Sequence, residues 1–166
     1  MTHGPKARVP FRRRRDEKTD YRRRLKLLRS GLPRAVVRKT LRNTIVQIVS
    51  YDQTGDRVIA SAVGTELYKY GWNHNAGNIS AAYLTGFLAG KRAKAKGVDV
   101  VVLDIGLSTP TRGSKVFASL KGLLDAGLDI PHDEGVLPSQ ERMEGKHISE
   151  DVMRSFREVK AKLEAK

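Results

Sequence analysis

The sequence contains no cysteine at all. Disulfide bonds and metal sites built on thiolates are therefore excluded. Four histidines are present, and they show neither the i, i+4 pairing nor the carboxylates at ligand spacing of a zinc or hydrolytic site: His3, His74, His132 and His147. Asp125, Asp129 and Asp133 with Glu134 read as a solvated acidic stretch, because Gly127 and Pro131 interrupt their spacing. We expect no metal site, no cofactor and no catalytic residue.

Long hydrophobic runs are missing as well. No apolar stretch approaches the roughly 20 residues needed to cross a bilayer. The basic N-terminus is not followed by the hydrophobic segment of a secretory signal, and Asp16, Glu17 and Asp20 within it count against a transit peptide. The sequence therefore predicts a soluble intracellular protein without a membrane-spanning segment.

What the chain has in abundance is positive charge at one end. Residues 1–42 carry 16 Lys and Arg against 3 acidic residues, whereas residues 43–166 carry 16 against 15. Almost all of the formal net charge of +14 therefore lies in the first quarter of the chain. Such a concentration of like charge is costly unless a polyanion neutralises it. Nucleic acid is the favoured partner, and an anionic membrane surface is a distant second.

Composition and periodicity divide the chain into five segments. The four-arginine run in the first of them disfavours a compact form, so that this tail is expected to order only on its partner. The second begins with a helix that Thr19 or Asp20 caps, with Tyr21, Leu25 and Leu28 along one docking stripe. The segments are a basic extended tail (1–19), a basic helix and connector (20–42), a globular domain (43–130), an irregular extension (131–148) and an amphipathic C-terminal helix (149–166).

The globular segment predicts an α/β domain on the borderline of α+β. Two stretches rich in Val and Ile flank a polar turn and predict a hairpin over 43–51 and 57–63. Helical patterns over 80–96 and about 114–126 enclose an almost purely aliphatic stretch, 98–105, which predicts a strand covered on both faces. A helix between strands favours a parallel crossover onto the hairpin sheet. We expect a three-layer domain with a mixed sheet of ribonuclease H-like arrangement.

The order of these elements raises the possibility of a metal-dependent nuclease. Ribonuclease H catalysis needs several carboxylates clustered around two metal ions. Here Asp104 lies at a strand end and Asp52 in a turn, but the helix predicted over 80–96 contains no acidic residue. A two-metal site is hard to assemble without one, so we expect no enzymatic activity.

Two segments outside the basic arm have residue types that contact RNA. Tyr68, Tyr70 and Trp72 alternate with Lys and Asn, which suits stacking on unpaired bases, but anchoring of the core edge is an equal alternative, above all for Trp72. The loop 106–115 lacks the Gly-Lys-[Ser/Thr] order of a Walker loop. It is either a tight turn with Ser114 as helix cap or a resting place for an RNA phosphate.

Several longer motifs occur together and in order: Val9-Pro-Phe-Arg-Arg-Arg-Arg15, Thr19-Asp-Tyr-Arg-Arg-Arg-Leu-Lys-Leu-Leu28, Tyr70-Gly-Trp72, Leu103-Asp-Ile-Gly106, Pro110-Thr-Arg-Gly-Ser-Lys115 and Asp125-Ala-Gly-Leu-Asp-Ile-Pro-His132. With them the chain closely resembles the archaeal-type family of large-subunit ribosomal protein L-eighteen, which binds 5S ribosomal RNA. The resemblance runs from the first residues to about residue 148.

The resemblance implies a structural constituent of the large ribosomal subunit in the cytoplasm. Its ribonuclease H-like domain would be used for binding, with 5S rRNA held by the N-terminal region and the sheet-side loops and anchored to 23S rRNA in the central protuberance. Ribosomal protein L-five and other proteins of the protuberance would be neighbours. Carried over by position, the RNA-binding residues are Phe11, Arg12, Arg13, Arg14, Arg15, Tyr21, Arg22, Arg23, Arg24, Lys26, Arg29, Arg34, Arg38, Lys39, Arg42, Tyr70, Trp72, Asn78, Thr109, Thr111, Arg112 and Lys115.

A general DNA-compacting protein is the main alternative to this function. Nothing in the basic arm itself separates DNA from RNA, because both present the same phosphate charge to Lys and Arg. Equal affinity for duplex DNA and for 5S rRNA at matched salt would be its signature. The position of the C-terminal helix, on the domain, on RNA or on another ribosomal protein, stays open at this point.

Overall fold

A computed structural model of the chain describes residues 8–165. Within them the chain forms a four-stranded mixed sheet in the order β3-β2-β1-β4. The first three strands form an antiparallel meander, and β4 pairs with β1 in parallel. Beyond β4, an isolated parallel bridge joins Val100 to Asp129. The strands are β1 (Arg34–Lys39), β2 (Thr44–Ser50), β3 (Arg57–Val63) and β4 (Val102–Asp104).

A mixed sheet flanked by helices gives the α/β class that the sequence predicts. Helices α3 and α4 pack on one face of the sheet, and α6 lies against α3. Helix α2 lies over the opposite face, with an open space between them. Over the described residues none of the helices is long and apolar enough to span a membrane. They are α1 (Arg12–Arg15), α2 (Tyr21–Leu28), α3 (Ile79–Lys94), α4 (Lys115–Asp125), α5 (Gln140–Glu144) and α6 (Glu150–Glu164), with 3-10 helices Gly64–Tyr70 and Glu134–Val136.

The core lies between the sheet and the α3/α4 layer. Alternate residues of a strand face opposite sides of a sheet. Val37 in β1 and Ile48 in β2 therefore point into the core and are fully buried, whereas Val36 and Gln47 face α2 and stay half-exposed. Burial of the inward aliphatic side chains is the main stabilising contribution to the domain.

Helices α3 and α4 cross at backbone contact. A Cβ atom added to Gly86 would overlap the Ser119 carbonyl, and one added to Gly122 would overlap the Tyr83 carbonyl. The two glycines thus let each helix approach the backbone of the other. The spacing of Gly86 and Gly90 predicts a close approach to a sheet, but the partner is helix α4.

We expect Gly86→Ala to lower the free energy of unfolding by about 1–3 kcal/mol, because the added methyl group forces the two helices apart. Urea denaturation of the RNA-free protein measures the loss. Gly135→Ala is the matched control, since a Cβ there meets only ordinary contacts, the nearest being Asp133 Oδ1 at 3.4 Å. Equal stability of the two variants would contradict the close-packed crossing.

The hairpin predicted over 43–51 and 57–63 is confirmed by β2 and β3. The prediction missed β1, which lies inside the segment assigned as a connector, so the sheet begins at Arg34 rather than at residue 43. Strand β1 carries Arg34, Arg38 and Lys39 beside only two fully inward residues, Ala35 and Val37, and its apolar signal is therefore weak.

Three other local predictions differ from the structure. Residues 12–15 form a helical turn rather than extended chain, with the Phe11 carbonyl accepting from the Arg14 and Arg15 amides, while residues 1–7 of the predicted tail lie outside the described residues. The aliphatic stretch 98–105 contributes only a three-residue strand, and Val100 is 38% exposed. The segment 131–148 contains α5 and a 3-10 helix, so it is not irregular throughout.

The C-terminal helix docks on the domain itself. As its spacing predicts, Val152, Phe156, Val159 and Leu163 are buried on one face of α6. Ser149 caps the helix by accepting a hydrogen bond from the Val152 amide at 3.3 Å. The buried face packs on α3 and on the 3-10 helix Gly64–Tyr70. Of the three positions left open by the sequence, the helix therefore takes the one on the domain.

Candidate nucleic-acid interface

The basic arm forms two short helices joined by a reversal of the chain. Asp20 begins α2 by accepting hydrogen bonds from the Arg22 and Arg23 amides at 3.0 and 3.1 Å. The Arg23 amide is the main reason why the pKa of Asp20 lies below its ordinary value. The Phe11 and Tyr21 rings lie 5.4 Å apart, so that an aromatic contact links the start of α1 to the start of α2.

The face with which α2 meets the sheet differs from the predicted stripe. Leu25 is 55% exposed and points away, whereas Tyr21, Arg24 and Leu27 line the space between α2 and the sheet. Polar contacts fix the helix in place: Arg24 donates two hydrogen bonds of 2.8 Å to the Asp56 carboxylate, and Arg23 donates to the Gly106 carbonyl at 2.9 Å. A charged contact, rather than an apolar stripe, therefore sets the position of α2.

Beneath α2 lies an arginine–aspartate cluster of five side chains on the outer face of the sheet: Arg24, Arg34, Arg38, Asp56 and Asp104. Arg34 is central, donating to Asp56 and to Asp104 at 2.7 Å each. Arg38 donates to Asp104 at 3.2 Å. Asp104 also accepts from the Gly106 amide at 2.9 Å, so both carboxylate oxygens are used.

Burial makes this cluster important for stability. Arg34 is 2% exposed and Asp104 is 6% exposed. A buried charge without its partner costs several kcal/mol, so each of these two residues requires the other. Hydrogen bonds from Arg24 and then from Arg34 hold the pKa of Asp56 below its ordinary value of 3.8.

Asp56 is expected to make the stability of the protein depend on acidic pH. Its carboxylate is held ionised in the fold, so the stabilisation is present above pH 3.8 and is lost as the pH falls through the lower pKa of the folded state. We expect Asp56→Asn to reduce the free energy of unfolding by about 1–2 kcal/mol at pH 6. At a pH below the folded-state pKa of Asp56, where the carboxyl group is protonated, the two proteins should be equally stable. Denaturant unfolding across this pH range measures the difference. Asp52→Asn, in the neighbouring turn, is the control variant, because Asp52 accepts from the Thr54 amide and contacts no arginine of the described chain.

Three predicted RNA-binding arginines belong to this cluster. Arg34 was predicted to meet RNA but is buried and ion-paired at both ends of its guanidinium, so its role in the fold is structural. Arg24 is engaged with Asp56 through both terminal nitrogens. Arg38 keeps an exposed side while donating to Asp104 and to two backbone carbonyls.

A second basic region lies where β1 and β4 end at the same edge of the sheet. The β1–β2 turn exposes Lys39, Arg42 and, at 93%, Leu41. Lys115, at the start of α4, donates to the Thr40 carbonyl at 2.9 Å and so ties the loop after β4 to this turn. Burial, and after it the nearby charge of Lys39, lower the pKa of Lys115.

The loop 106–114 runs between the two basic regions. Its predicted contact residues Thr109, Thr111 and Arg112 are exposed. Ser114 occupies the cap position of α4, but its hydroxyl is buried and forms no hydrogen bond with a described residue. The tight-turn interpretation of this loop therefore lacks its predicted cap.

Three further predicted RNA contacts lie apart from the arm. Trp72 is completely buried and its ring lies 5.3 Å from that of His74, which hydrogen-bonds Ser155 in α6. Trp72 therefore presents no surface to RNA in this fold, and its burial fits the alternative that it anchors the core edge. Asn78 caps α3 by accepting from the Ala81 amide at 2.7 Å. The carbonyl of Tyr70, a half-buried residue, accepts from Lys162 of α6.

A broad set of cations is exposed and forms no ion pair with any residue in the range 8–165. Because no carboxylate neutralises them, they present an uncompensated positive surface to a polyanion. The set comprises Arg12, Arg13, Arg14, Arg15, Arg22, Lys26, Arg29, Lys39, Arg42 and Arg112.

The carboxylates considered for a nuclease site serve other purposes. Asp104 is saturated by Arg34, Arg38 and the Gly106 amide, while Asp52 lies in an exposed turn. Over the described residues, no three or more His, Asp or Glu side chains are placed to hold a metal ion. The sequence-based reasoning missed Asp56 as the partner of two arginines, and one sequence offers no signal for a pair 22 or 32 positions apart.

These features define a polyanion-binding protein in which the fold presents cations rather than catalytic groups. The model of the family described as "Ribosomal large subunit proteins 60S L5, and 50S L18" matches residues 6–101 and 94–133. The chain is also 52% identical over 150 residues to the large ribosomal subunit protein uL18 of Haloarcula marismortui. The aligned region covers 90% of this chain and 80% of that protein.

The chain therefore belongs to this family of large-subunit ribosomal proteins. As the resemblance implies, it is a structural, non-enzymatic constituent of the large ribosomal subunit in the cytoplasm, with ribosomal RNA and ribosomal proteins as its partners.

Proposed function

We propose that the protein binds 5S rRNA through its arm and anchors that RNA to 23S rRNA in the central protuberance, beside ribosomal protein L-five. The observation that carries this proposal is the row of unpaired, outward-facing arginines on α1 and α2 in a chain of this family. Phosphate contacts from such side chains hold an RNA in register.

The arginine–aspartate cluster gives the arm a defined position before RNA arrives. Arg24 and Arg23 fasten α2 to Asp56 and Gly106, which leaves Arg22, Lys26 and Arg29 directed outward. Ordering a free chain on RNA costs conformational entropy. Helix α2 is already ordered in the free protein, so that less entropy is lost when RNA binds. Docking of α2 therefore favours tight and selective binding over loose attraction to any polyanion.

Shape selectivity for RNA requires more than charge. Phe11 is 73% exposed beside Tyr21, so its ring offers a stacking surface for an unpaired base. Such contacts are absent from regular duplex DNA, whose bases are paired and stacked. The arm thus combines a sequence-independent charge with a surface that favours folded RNA over duplex DNA.

The second basic region is the candidate for the contact with 23S rRNA. Lys39, Arg42 and Arg112 are exposed there, and Leu41 projects from the turn between them. Two basic regions joined by one loop suit a protein that holds two RNA molecules together. The hydrogen bond from Lys115 to the Thr40 carbonyl holds the loop after β4 against the β1–β2 turn.

Ultraviolet crosslinking of intact large subunits, followed by mass spectrometry of the protein–RNA adducts, tests this assignment. We expect peptides containing Phe11 or Tyr21 to carry nucleotides of 5S rRNA, and peptides containing Arg42 or Arg112 to carry nucleotides of 23S rRNA. Adducts of the arm with 23S rRNA alone would overturn the proposal. Crosslinks from the exposed face of α6 serve as the internal control, since neither contact is assigned there.

A further inference from the structure

A cavity of about 830 Å³ separates α2 from the outer face of the sheet. Val36, Val49 and Val58 of three adjacent strands form the apolar part of its floor, beside Gln47 and the arginine–aspartate cluster. Tyr21 and Leu27 of α2 line the opposite side. The volume falls within the roughly 300–1,000 Å³ typical of small-molecule sites. The docking contacts of α2 therefore leave a half-open space that the protein's own side chains do not fill.

Gln47 is the polar side chain of this cavity that lacks a partner among the described residues. It is half-exposed, and its amide forms no hydrogen bond with any of them. A ligand in the cavity can therefore hydrogen-bond this amide without displacing a contact of the fold. The Nε atom of Arg34 also donates no hydrogen bond to a described residue, but it is fully buried and has no surface that faces the cavity.

The rim of the cavity is basic. Arg13, Lys18 and Arg23 lie at its edge, and the cluster below it has three arginines against two aspartates. A phosphate is therefore attracted to the rim, whereas a cation is repelled. The two aspartates are already bound by arginines and offer no free ligand to a metal ion.

We infer that this cavity receives one unpaired nucleotide of the bound RNA, its base between Tyr21 and the valine floor and its phosphate at the Arg13 and Arg23 rim. An unstacked base supplies the flat face that the three valines suit and the edge groups that can hydrogen-bond the Gln47 amide. The inference rests on the proposed function, because the nucleotide belongs to the 5S rRNA held by the arm.

Filling the cavity tests the inference. We expect Val36→Phe in the full-length protein to weaken 5S rRNA binding by about tenfold or more, the cost of one lost stacked base. The slope of log affinity against log salt should not change, since no phosphate contact is removed. The control is Val100→Phe, at an exposed strand-edge position outside the cavity. Thermal unfolding of each variant shows whether it is folded.

An unchanged affinity of a folded Val36→Phe protein would overturn the inference. Gln47→Leu provides a second test in case Val36→Phe does not fold, because leucine has a similar volume but cannot make the hydrogen bonds of the amide. The test uses a series of 5S rRNAs, each with one unpaired nucleotide replaced by an abasic site. We expect Gln47→Leu to discriminate less than the wild type between intact 5S rRNA and the RNA that lacks the bound base. For each abasic site, the loss of affinity is compared between the wild type and Gln47→Leu. If no site causes a larger loss in the wild type than in the variant, the cavity holds no base.

These measurements distinguish a failure of the nucleotide-site inference from a failure of the proposed 5S rRNA binding. Selective binding of 5S rRNA by the wild type, together with equal binding by Val36→Phe, leaves the proposed function intact and refutes the nucleotide site alone. Wild-type protein that fails to select 5S rRNA refutes the proposed function first.

Discussion

Replacing Arg12, Arg13, Arg14 and Arg15 together by glutamine is expected to weaken binding to 5S rRNA by several hundred-fold at about 0.15 M salt. Each phosphate contact releases counterions and contributes a factor of about 5 at that salt concentration, and four contacts multiply to several hundred. The slope of log affinity against log salt should become shallower by about 3. Fluorescence titration at several salt concentrations measures both quantities.

The fold should survive this change, because α1 buries no residue and its arginines form no ion pair with a described residue. A control variant removes the same charge elsewhere, replacing four exposed cations in or near α5 and α6 by glutamine: Arg142, Lys146, Arg154 and Arg157. We expect it to keep the affinity to within a few fold. Equal weakening by the two variants would mean that binding follows net charge and that the arm has no special position.

Asp104→Leu is expected to lower the free energy of unfolding by about 3–5 kcal/mol. The substitution leaves the buried Arg34 guanidinium with one carboxylate instead of two and takes away an acceptor from Arg38 and from the Gly106 amide. Halving the number of carboxylates that neutralise the buried Arg34 guanidinium is the largest of these losses. Guanidinium denaturation followed by circular dichroism measures the change.

Removing the partner charge at the same time should restore much of this stability. We expect the double variant Arg34→Met with Asp104→Leu to recover at least half of the loss, since well-packed apolar residues often replace a buried ion pair at little cost. Asp56 keeps Arg24 as its partner in that variant. If the double variant were less stable than Asp104→Leu alone, Arg34 would not owe its position to the pairing with Asp104.

How much of the fold the sequence discloses depends on how local each signal is. The hairpin β2–β3 follows from two Val/Ile-rich stretches around a polar turn, and α6 follows from apolar residues spaced by four, three and four. Both patterns can be recognised within fewer than 20 residues. Strand β1 cannot, because Arg34 and Arg38 occupy its outward positions and resemble the basic segments before it.

The same difficulty limits prediction of the site. A basic residue that contacts RNA and one that pairs with a distant aspartate look identical in one sequence, so Arg34 was grouped with the outward arginines of α1. Its partners lie 22 and 70 positions away. Trp72 is a similar case, since its polar neighbours indicate RNA contact, whereas in the fold it is fully buried, and its neighbour His74 reaches α6.

The arm itself is predictable in charge but not in form. Its net charge identifies a polyanion partner directly from the sequence, because no alternative role requires so many cations. The helical turn α1 rests on local hydrogen bonds to the Phe11 carbonyl, which a run of four like charges does not indicate. The anchoring of α2 through Asp56 depends on a contact across 32 positions, which only the folded chain brings together.

The most direct test of selective 5S rRNA binding is a competition titration of labelled 5S rRNA with unlabelled 5S rRNA, transfer RNA and duplex DNA at about 0.15 M salt. We expect only unlabelled 5S rRNA to displace the label at low excess, because the positioned arm and its aromatic contacts select a particular RNA shape. Equal displacement by all three competitors would contradict this account and would show that the arm acts as a plain polycation.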